Sequence, residues 1–343
     1  MGGDDDTVVL RRFARPRRPG RWLIALIVAV GVAAAGGGAL LFRPVPVPVP
    51  VLTLPPLATE AQILDRAPDT TEAYRFVSQP EILVLQFATL ADQAATLNRA
   101  AALVERAETP HDRVLDPAEL DRLIRASGDV PEFVYFGHDY RAADLERFFR
   151  LAGPGLTPAE AVLRAWLSDW GWRAGTTGAL ISLVREDRAV GIDRASRATI
   201  LRHELSHGLY FVDADYAAYA RRFWAVTLSE EERGQFRRFL GREGYDTRIE
   251  DLMSNEAQAY LVHTSDRRFF TPASVGMTQA RLDVLRTLFL AGMPPGWLRD
   301  SSVLPARVPR RRQRLGAVRT RRMLAATGPA RCAFSSPARS SAT

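Results

Sequence analysis

The segment Ile200-Leu201-Arg202-His203-Glu204-Leu205-Ser206-His207-Gly208-Leu209 decides how this 343-residue chain is interpreted. Two histidines four residues apart lie on one face of a helix, one turn apart, so both imidazoles can reach one ion. Glu204 follows the first histidine and can take a proton from a water at that ion. Zinc accepts imidazole and carboxylate ligands and needs no cysteine. The pattern therefore predicts a Zn2+ site on a helix from about 197 to 211, with Ser196 as its N-cap.

A buried helix with two hydrogen-bonded histidines is the alternative interpretation of this segment. The composition favours the metal site, because the chain has only five histidines and two of them stand here. Apart from Arg202 and Glu204, residues 200–209 are uncharged, as a helix buried beside a metal requires. Two histidines are only half of a zinc site, so a further ligand must come from another part of the chain.

The HExxH motif resembles that of the zincin metallopeptidases, over about residues 180–262. Gluzincins, one zincin branch, take their third ligand from a glutamate on a later helix. Here Asn255-Glu256-Ala257-Gln258-Ala259-Tyr260, an NExxAY pattern, lies in a helical stretch from about 250 to 263. The resemblance implies that His203, His207 and Glu256 bind zinc and that Glu204 is the catalytic base. An ordinary surface glutamate is the alternative for Glu256.

Two assignments within this resemblance have competitors. The metzincin branch continues as HExxHxxGxxH, and its spacing offers Asp213 as third ligand, but Tyr210 stands where the glycine should be. Hydrolysis of a carbonyl compound also needs a hydrogen-bond donor for the oxyanion. Tyr260, one turn after Glu256, is the first choice, followed by Tyr210 and His263. A tyrosine that only packs against the metal helix is the alternative for each.

The rest of the folded region predicts a mainly α (α+β) protein with a small sheet. Capping boxes predict helices that start at Thr157 and Ser229, and hydrophobic periodicity predicts others at 90–106, 117–127 and 141–151. The strand candidates are 82–87 and 179–184, and the second is either an interior strand or the edge strand beside an extended substrate. Gly137-His138-Asp139-Tyr140 is expected to be a polar turn in which Asp139 caps the next helix, or else to contribute to the site.

The N-terminal sequence predicts a membrane anchor. Residues 1–21 are basic and 22–42 are uncharged and mostly apolar, long enough to span a bilayer. The positive-inside rule then places the N-terminus in the cytoplasm and the remainder in the periplasm or outside the cell. A signal peptide cleaved near Ala33-Ala34-Ala35-Gly36 is the alternative. Alternating prolines make 43–57 a stiff linker.

The remaining chain is divided into 58–304, a metallopeptidase-like domain, and 305–343, an Arg-rich tail expected to be disordered. The domain has an N-terminal helical part at 58–160 and a metal-binding part at 161–304. The two ends carry +3 and +10 of the net charge of +7, which leaves 22–304 at −6 and argues against a nucleic-acid partner. The only cysteine, Cys332, lies in the tail, so a disulfide within the chain is impossible.

These observations predict a membrane-anchored zinc metallopeptidase that hydrolyses peptide bonds with a metal-activated water. Its partners would be a peptide or protein substrate and, through the N-terminal helix, the membrane. One alternative is a zincin-like module that binds or supports a partner without catalysis. The other is a zinc hydrolase of a non-peptide amide or of cell-wall material, because the same chemistry attacks any suitably placed carbonyl.

Overall fold

The computed structural model describes residues 54–302. The predicted anchor, almost all of the proline linker and the Arg-rich tail therefore lie outside the described residues. None of the helices between 54 and 302 combines the length and the apolar character that a bilayer crossing requires.

The described part of the chain is mainly helical and contains one small mixed sheet, which agrees with the α+β class expected from the sequence. The strands are β1 Leu57–Ala58, β2 Glu72–Phe76, β3 Gln79–Phe87, β4 Gly137–Arg141 and β5 Ala179–Val184. The first helices are α1 Glu60–Leu64, α2 Leu90–Val104, α3 Pro117–Ala126, α4 Ala142–Ala152 and α5 Pro158–Asp169. The later helices are α6 Arg194–Val212, α7 Ala214–Arg222, α8 Glu230–Arg242, α9 Glu250–Gln258, α10 Gln279–Gly292 and α11 Trp297–Ser302.

The sheet has the strand order β1-β2-β3-β5-β4. Strands β3 and β5 pair in parallel, and β4 pairs with β5 in the antiparallel sense, with Asp139 opposite Ile181. Both predicted strands are present, and β5 has the predicted bounds. It lies inside the sheet, however, so its alternative assignment as the edge strand is wrong. The edge strand next to β5 is β4, and β1 is the edge strand at the other side of the sheet.

The segment Gly137-His138-Asp139-Tyr140 was expected to be a turn, and this prediction is wrong because the segment pairs along its whole length with β5. Strand geometry points successive side chains to opposite faces. His138 and Tyr140 are buried on the side of α2, and Gly137 and Asp139 face α6. Asp139 therefore does not cap α4, whose first turn is closed by Asp144 accepting from the backbone N–H of Arg141.

Helix starts follow the capping rules with one correction. The Thr157 and Ser229 hydroxyls each accept from the backbone N–H three residues on, and both capping boxes are confirmed. Helix α6, however, begins at Arg194, and its N-cap is Asp193, whose carboxylate accepts from the Ser196 backbone N–H at 2.9 Å. An N-cap side chain accepts a hydrogen bond from the backbone N–H of a residue two or three positions later. In α6 the Asp193 side chain accepts, and Ser196 is the residue that donates to it, so the prediction of Ser196 as the N-cap is wrong.

Helix α6 lies directly on the sheet. A Cβ added at Gly208 would come within 2.9 Å of the Ile82 side chain on β3, so only glycine permits this approach of helix and strand. Most of α6 is buried, including every residue from His203 to Tyr210. The helix that carries the HExxH motif is therefore fixed between the sheet and the C-terminal helices.

Candidate metal centre

The two motif histidines and Glu256 converge at one point. The His203 Nε2 atom lies 3.8 Å from one Glu256 oxygen, and the His207 Nε2 atom lies 3.6 Å from the other. Ligands bound at about 2.0–2.2 Å to a tetrahedral zinc are roughly 3.4 Å apart. The spacing of these three side chains is thus close to that of a metal site, and their ligand atoms all lie within 4.8 Å of one another.

The orientation of His203 is set by a threonine behind it. The Thr264 hydroxyl donates to the Ala259 carbonyl at 3.0 Å and lies 2.8 Å from His203 Nδ1. Since the hydroxyl has one proton, Nδ1 must be the donor to Thr264, which leaves the lone pair on Nε2. Burial lowers the pKa of His203 well below its usual value, so the ring is neutral, as a metal ligand must be.

His207 is a buried imidazole with unsatisfied polar atoms. Within residues 54–302 neither of its ring nitrogens has a hydrogen-bond partner, and the residue has no exposed surface. Buried polar groups are nearly always paired, and an exception calls for a specific cause such as an ion. A metal bound at Nε2 would account for one of these two nitrogens.

Glu204 lies on the same face, between α6 and the edge strand. An added Cβ at Gly137 of β4 would come within 2.9 Å of the Glu204 Cγ atom, so the missing side chain at Gly137 makes the space for this glutamate. The Glu204 carboxyl is buried, and its pKa is raised well above the usual value, first by burial and then by repulsion from Asp139, Glu256 and Glu105. These effects make Glu204 a stronger proton acceptor than a solvated carboxylate.

Glu256 extends from α9, which continues into a π-helical turn, Ala259–His263. Ala257 and Ala259 are both buried, as expected for small residues that let this helix approach α6. Burial, followed by Asp139 and Glu105, raises the pKa of Glu256, and the Tyr245 hydroxyl opposes this shift. Tyr245 was not identified from the sequence, because only the tertiary fold brings it to this carboxyl.

The other predicted site residues fall at different places. The Tyr260 ring packs edge-on against His203, with centroids 4.8 Å apart. Asp213 caps α7 by accepting from the Asp215 and Tyr216 backbone N–H groups, so the structure does not bring this competitor to the cluster. The Tyr210 hydroxyl donates to Asp251, and His263 lies between Tyr216 and Ser302.

Two further carboxyls lie at the site: Glu105 was not predicted there, and for Asp139 a contribution to the site was only the alternative interpretation. Asp139 of β4 places an oxygen 3.9 Å from His207 Nε2, and Glu105, which follows α2, has an oxygen within 4.8 Å of oxygens of Asp139 and Glu256. Burial is the main cause that raises the pKa of each. The polar pair His138-Asp139 after an apolar stretch was a usable signal for Asp139. The sequence around Glu105 contained none.

The cluster is closed in this conformation. His203, His207, Glu204 and Glu256 are at most 1% exposed. The segments that carry Glu105 and Tyr245 are joined to each other: the Ala107 N–H donates to the Gly244 carbonyl, and the Asp246 N–H donates to the Glu105 carbonyl, both at 2.8 Å. Asp139, with 11% of its side chain exposed, is the member nearest to solvent.

No family model, no curated protein and no solved structure matches this chain. The interpretation of the cluster therefore depends on its residues and their geometry. What the structure shows is a set of buried histidine and carboxylate groups that could hold a metal ion.

Proposed function

We propose that this chain is a zinc-dependent hydrolase of the zincin type, in its gluzincin branch, and that its substrates are peptide bonds. The observation that supports this most strongly is the convergence of His203, His207 and Glu256 beside Glu204. The motif predicted the first two as ligands from local spacing, and the third comes from a helix about fifty residues later in the chain.

The donor set suits zinc. Two imidazole nitrogens and one carboxylate oxygen form the His2Glu combination of catalytic zinc sites, which leaves the fourth position for water or substrate. The Thr264 contact fixes the tautomer of His203, a role that partners of metal-bound histidines commonly have. Bound zinc would supply the polarisation of the scissile carbonyl and the activation of water.

The chain's own residues would handle the protons. Glu204 would accept a proton from the attacking water and deliver it to the leaving amine, and the direction of its pKa shift, upward through burial, is the one that strengthens a carboxylate as a base. Tyr260 is the proposed donor to the oxyanion. Burial raises its pKa well above the usual value, so its hydroxyl keeps the proton that such a donor needs.

Substrate access requires the covering segments to separate. The hydrogen bonds between Ala107 and Gly244 and between Asp246 and Glu105 would have to open on the side where Asp139 reaches solvent. The outer edge of β4 then offers backbone groups with which an extended peptide can pair. In this proposal β4 has the substrate-binding role that the sequence alone suggested for β5.

The second candidate function is a non-catalytic module with a structural metal. The observation that favours it is the closure of the cluster, since structural zinc sites are closed and catalytic ones keep an open position. Asp139 is close enough to His207 to serve as the additional ligand of such a site. In either case, membrane anchoring and export remain predictions from residues 1–42.

The test is a comparison of full-length wild type with Glu204→Gln, and with Glu231→Gln as a matched exposed control. Each protein is assayed for bound zinc and for cleavage of casein, short peptides and cell-wall fragments. We expect Glu204→Gln to keep zinc and lose about 10²–10⁴-fold in activity, because it removes the general base. The control should match the wild type.

Four results would count against the peptidase proposal. Retained activity in Glu204→Gln would reject the mechanism, and absence of zinc from the wild type would reject the site. Bound zinc without cleavage of any substrate would favour the structural module. Cleavage of cell-wall fragments alone would assign the enzyme to a non-peptide substrate.

A further inference from the structure

We infer that Gln258 is a positioning residue for the zinc site, and that its side-chain amide fixes Glu256 opposite the two motif histidines. This inference rests on the proposed function, because it takes Glu256 as a zinc ligand. Gln258 is the last residue of α9, two positions after Glu256, and it is buried. Burial of an amide costs free energy unless its hydrogen bonds are remade inside the protein. The partners of Gln258 therefore indicate what this side chain does.

Both ends of the Gln258 amide are used, and they join α9 to two other helices. Its Oε1 atom accepts from the Tyr216 hydroxyl of α7 at 2.6 Å. Its Nε2 atom lies 3.1 Å from the Ser206 hydroxyl of α6 and 3.4 Å from the Asn255 side-chain oxygen. The Ser206 hydroxyl donates its one proton to the His203 carbonyl at 2.7 Å, so it must accept from Gln258. This requirement fixes which end of the amide faces α6.

A second contact joins α6 and α9 one turn away. The Tyr210 hydroxyl of α6 donates to Asp251 at 2.6 Å and lies 2.8 Å from the Ser254 hydroxyl. Tyr210 follows Ser206 by about one turn of α6, and Ser254 precedes Gln258 by about one turn of α9. The two helices are thus joined at successive turns and run in opposite directions along this contact.

Glu256 lies between these two contacts along α9. If α9 moved by one residue relative to α6, its side chains would shift by about 1.5 Å along the axis and turn by about 100° around it. The Glu256 oxygens lie 3.8 and 3.6 Å from the Nε2 atoms of His203 and His207, and such a shift would separate them. Two contacts one turn apart fix both the axial position and the rotation of α9, and therefore the place of the third ligand.

The contact at Gln258 is the one that leads to the metal. The carboxylate of Asp251, in the other contact, is partly exposed and also binds two arginines, so that end of α9 has further support. Gln258 instead connects through a buried hydroxyl to the backbone of His203. The π-helical turn that follows Gln258 leads directly to Thr264, which contacts the ring of the same histidine. A shift at Gln258 would therefore disturb both His203 and Glu256.

The experiment measures zinc affinity in the full-length protein by competition with a chelator. Gln258→Met keeps the length of the side chain and removes both hydrogen-bonding ends, and we expect it to lower zinc affinity by about 10-fold, as is common for residues that support metal ligands. Ser206→Ala removes the other end of the same hydrogen bond and should have a similar effect. Because the two changes break one bond, their effects should not add in the double variant.

A structural control and a second readout separate positioning from general stability. Gln93→Met changes another buried glutamine, which contacts Ser182 on the opposite side of the sheet, and it should bind zinc as the wild type does. The visible absorption spectrum of the cobalt-substituted protein reports the geometry of the bound metal. We expect this spectrum to change in Gln258→Met and to stay the same in Gln93→Met, since a loss of stability alone does not alter the ligands.

The outcomes distinguish this inference from the proposed function. An unchanged zinc affinity or an unchanged cobalt spectrum in Gln258→Met overturns the positioning role and leaves the zinc site standing. Equal losses of affinity in Gln258→Met and Gln93→Met, or additive losses in the double variant, also overturn it. No bound zinc in the wild type overturns both proposals. If circular dichroism shows that Gln258→Met is unfolded, Ser206→Ala takes its place in the same two measurements, because it removes only one hydroxyl group.

Discussion

The two faces of strand β4 show two kinds of buried polar cluster. On the side of α2, the nitrogens of His138 lie 3.3 Å from the Ser182 hydroxyl and 3.3 Å from the Asn98 side-chain oxygen. The Ser182 hydroxyl also lies 3.2 Å from the Gln93 side-chain oxygen. On the side of α6, an Asp139 oxygen lies 3.9 Å from His207 Nε2, and neither ring nitrogen of His207 has a hydrogen-bond partner among residues 54–302. Both histidines are almost fully buried.

The difference shows that burial and residue type do not by themselves identify a metal ligand. Burial lowers the pKa of His138 to about 3, so this ring is neutral, as a metal-bound histidine also must be. What separates them is hydrogen bonding. His138 lies in a network that uses both ring nitrogens and connects β4 to α2, whereas neither nitrogen of His207 has a hydrogen-bond partner among residues 54–302, and its Nε2 atom faces carboxylates.

The largest predicted difference between the two faces of β4 appears when each histidine is replaced with alanine. His207→Ala should lower zinc affinity by at least about 100-fold, because it removes a ligand of the proposed site, and activity should fall with it. His138→Ala should leave zinc affinity unchanged and cost about 1–3 kcal/mol of unfolding free energy, since it breaks buried hydrogen bonds. Zinc titration and urea denaturation of both variants measure the two effects. Equal loss of zinc in both would contradict the distinction.

A second prediction concerns Gly137, where the metal face of β4 meets Glu204. A methyl group in Gly137→Ala would overlap the Glu204 side chain and displace its carboxyl. Small displacements of a catalytic group cost up to about 100-fold in rate, so we expect kcat to fall by roughly 10–100-fold with zinc content unchanged. Gly234→Ala is the matched control, because an added Cβ there meets only the end of the Arg238 side chain at 3.4 Å. An unchanged kcat in Gly137→Ala would show that Glu204 does not depend on this contact.

The same comparison explains how far the sequence could predict this molecule. The ligands on α6 follow from helical spacing, and Glu256 was named because its sequence context resembles that of gluzincins. The sequence analysis considered Asp139 but placed it in a turn. Its segment is a strand because it pairs with β5, about forty residues later, and local sequence does not show this pairing. Glu105 and Tyr245 could not be assigned, since the contacts that bring them to Glu256 exist only in the tertiary fold.

The smallest predicted effect is a difference between the wild type and His138→Gln in how the free energy of unfolding depends on pH. The unfolded chain protonates His138 near its ordinary pKa of 6.5, and the folded chain does so only near 3. The unfolded state therefore binds more protons between these values, and the stabilisation present above pH 6.5 is lost as the pH falls towards 3, at up to about 1.4 kcal/mol per pH unit. In His138→Gln this contribution is absent, so its stability should fall less steeply below pH 6.5.

Burial also lowers the pKa of His263 to about 3, but that residue and the buried carboxyls are common to both proteins and cancel in the comparison. Urea denaturation of both metal-free proteins between pH 4 and 8 measures the slopes, and parallel curves would mean that His138 is not held neutral by the fold.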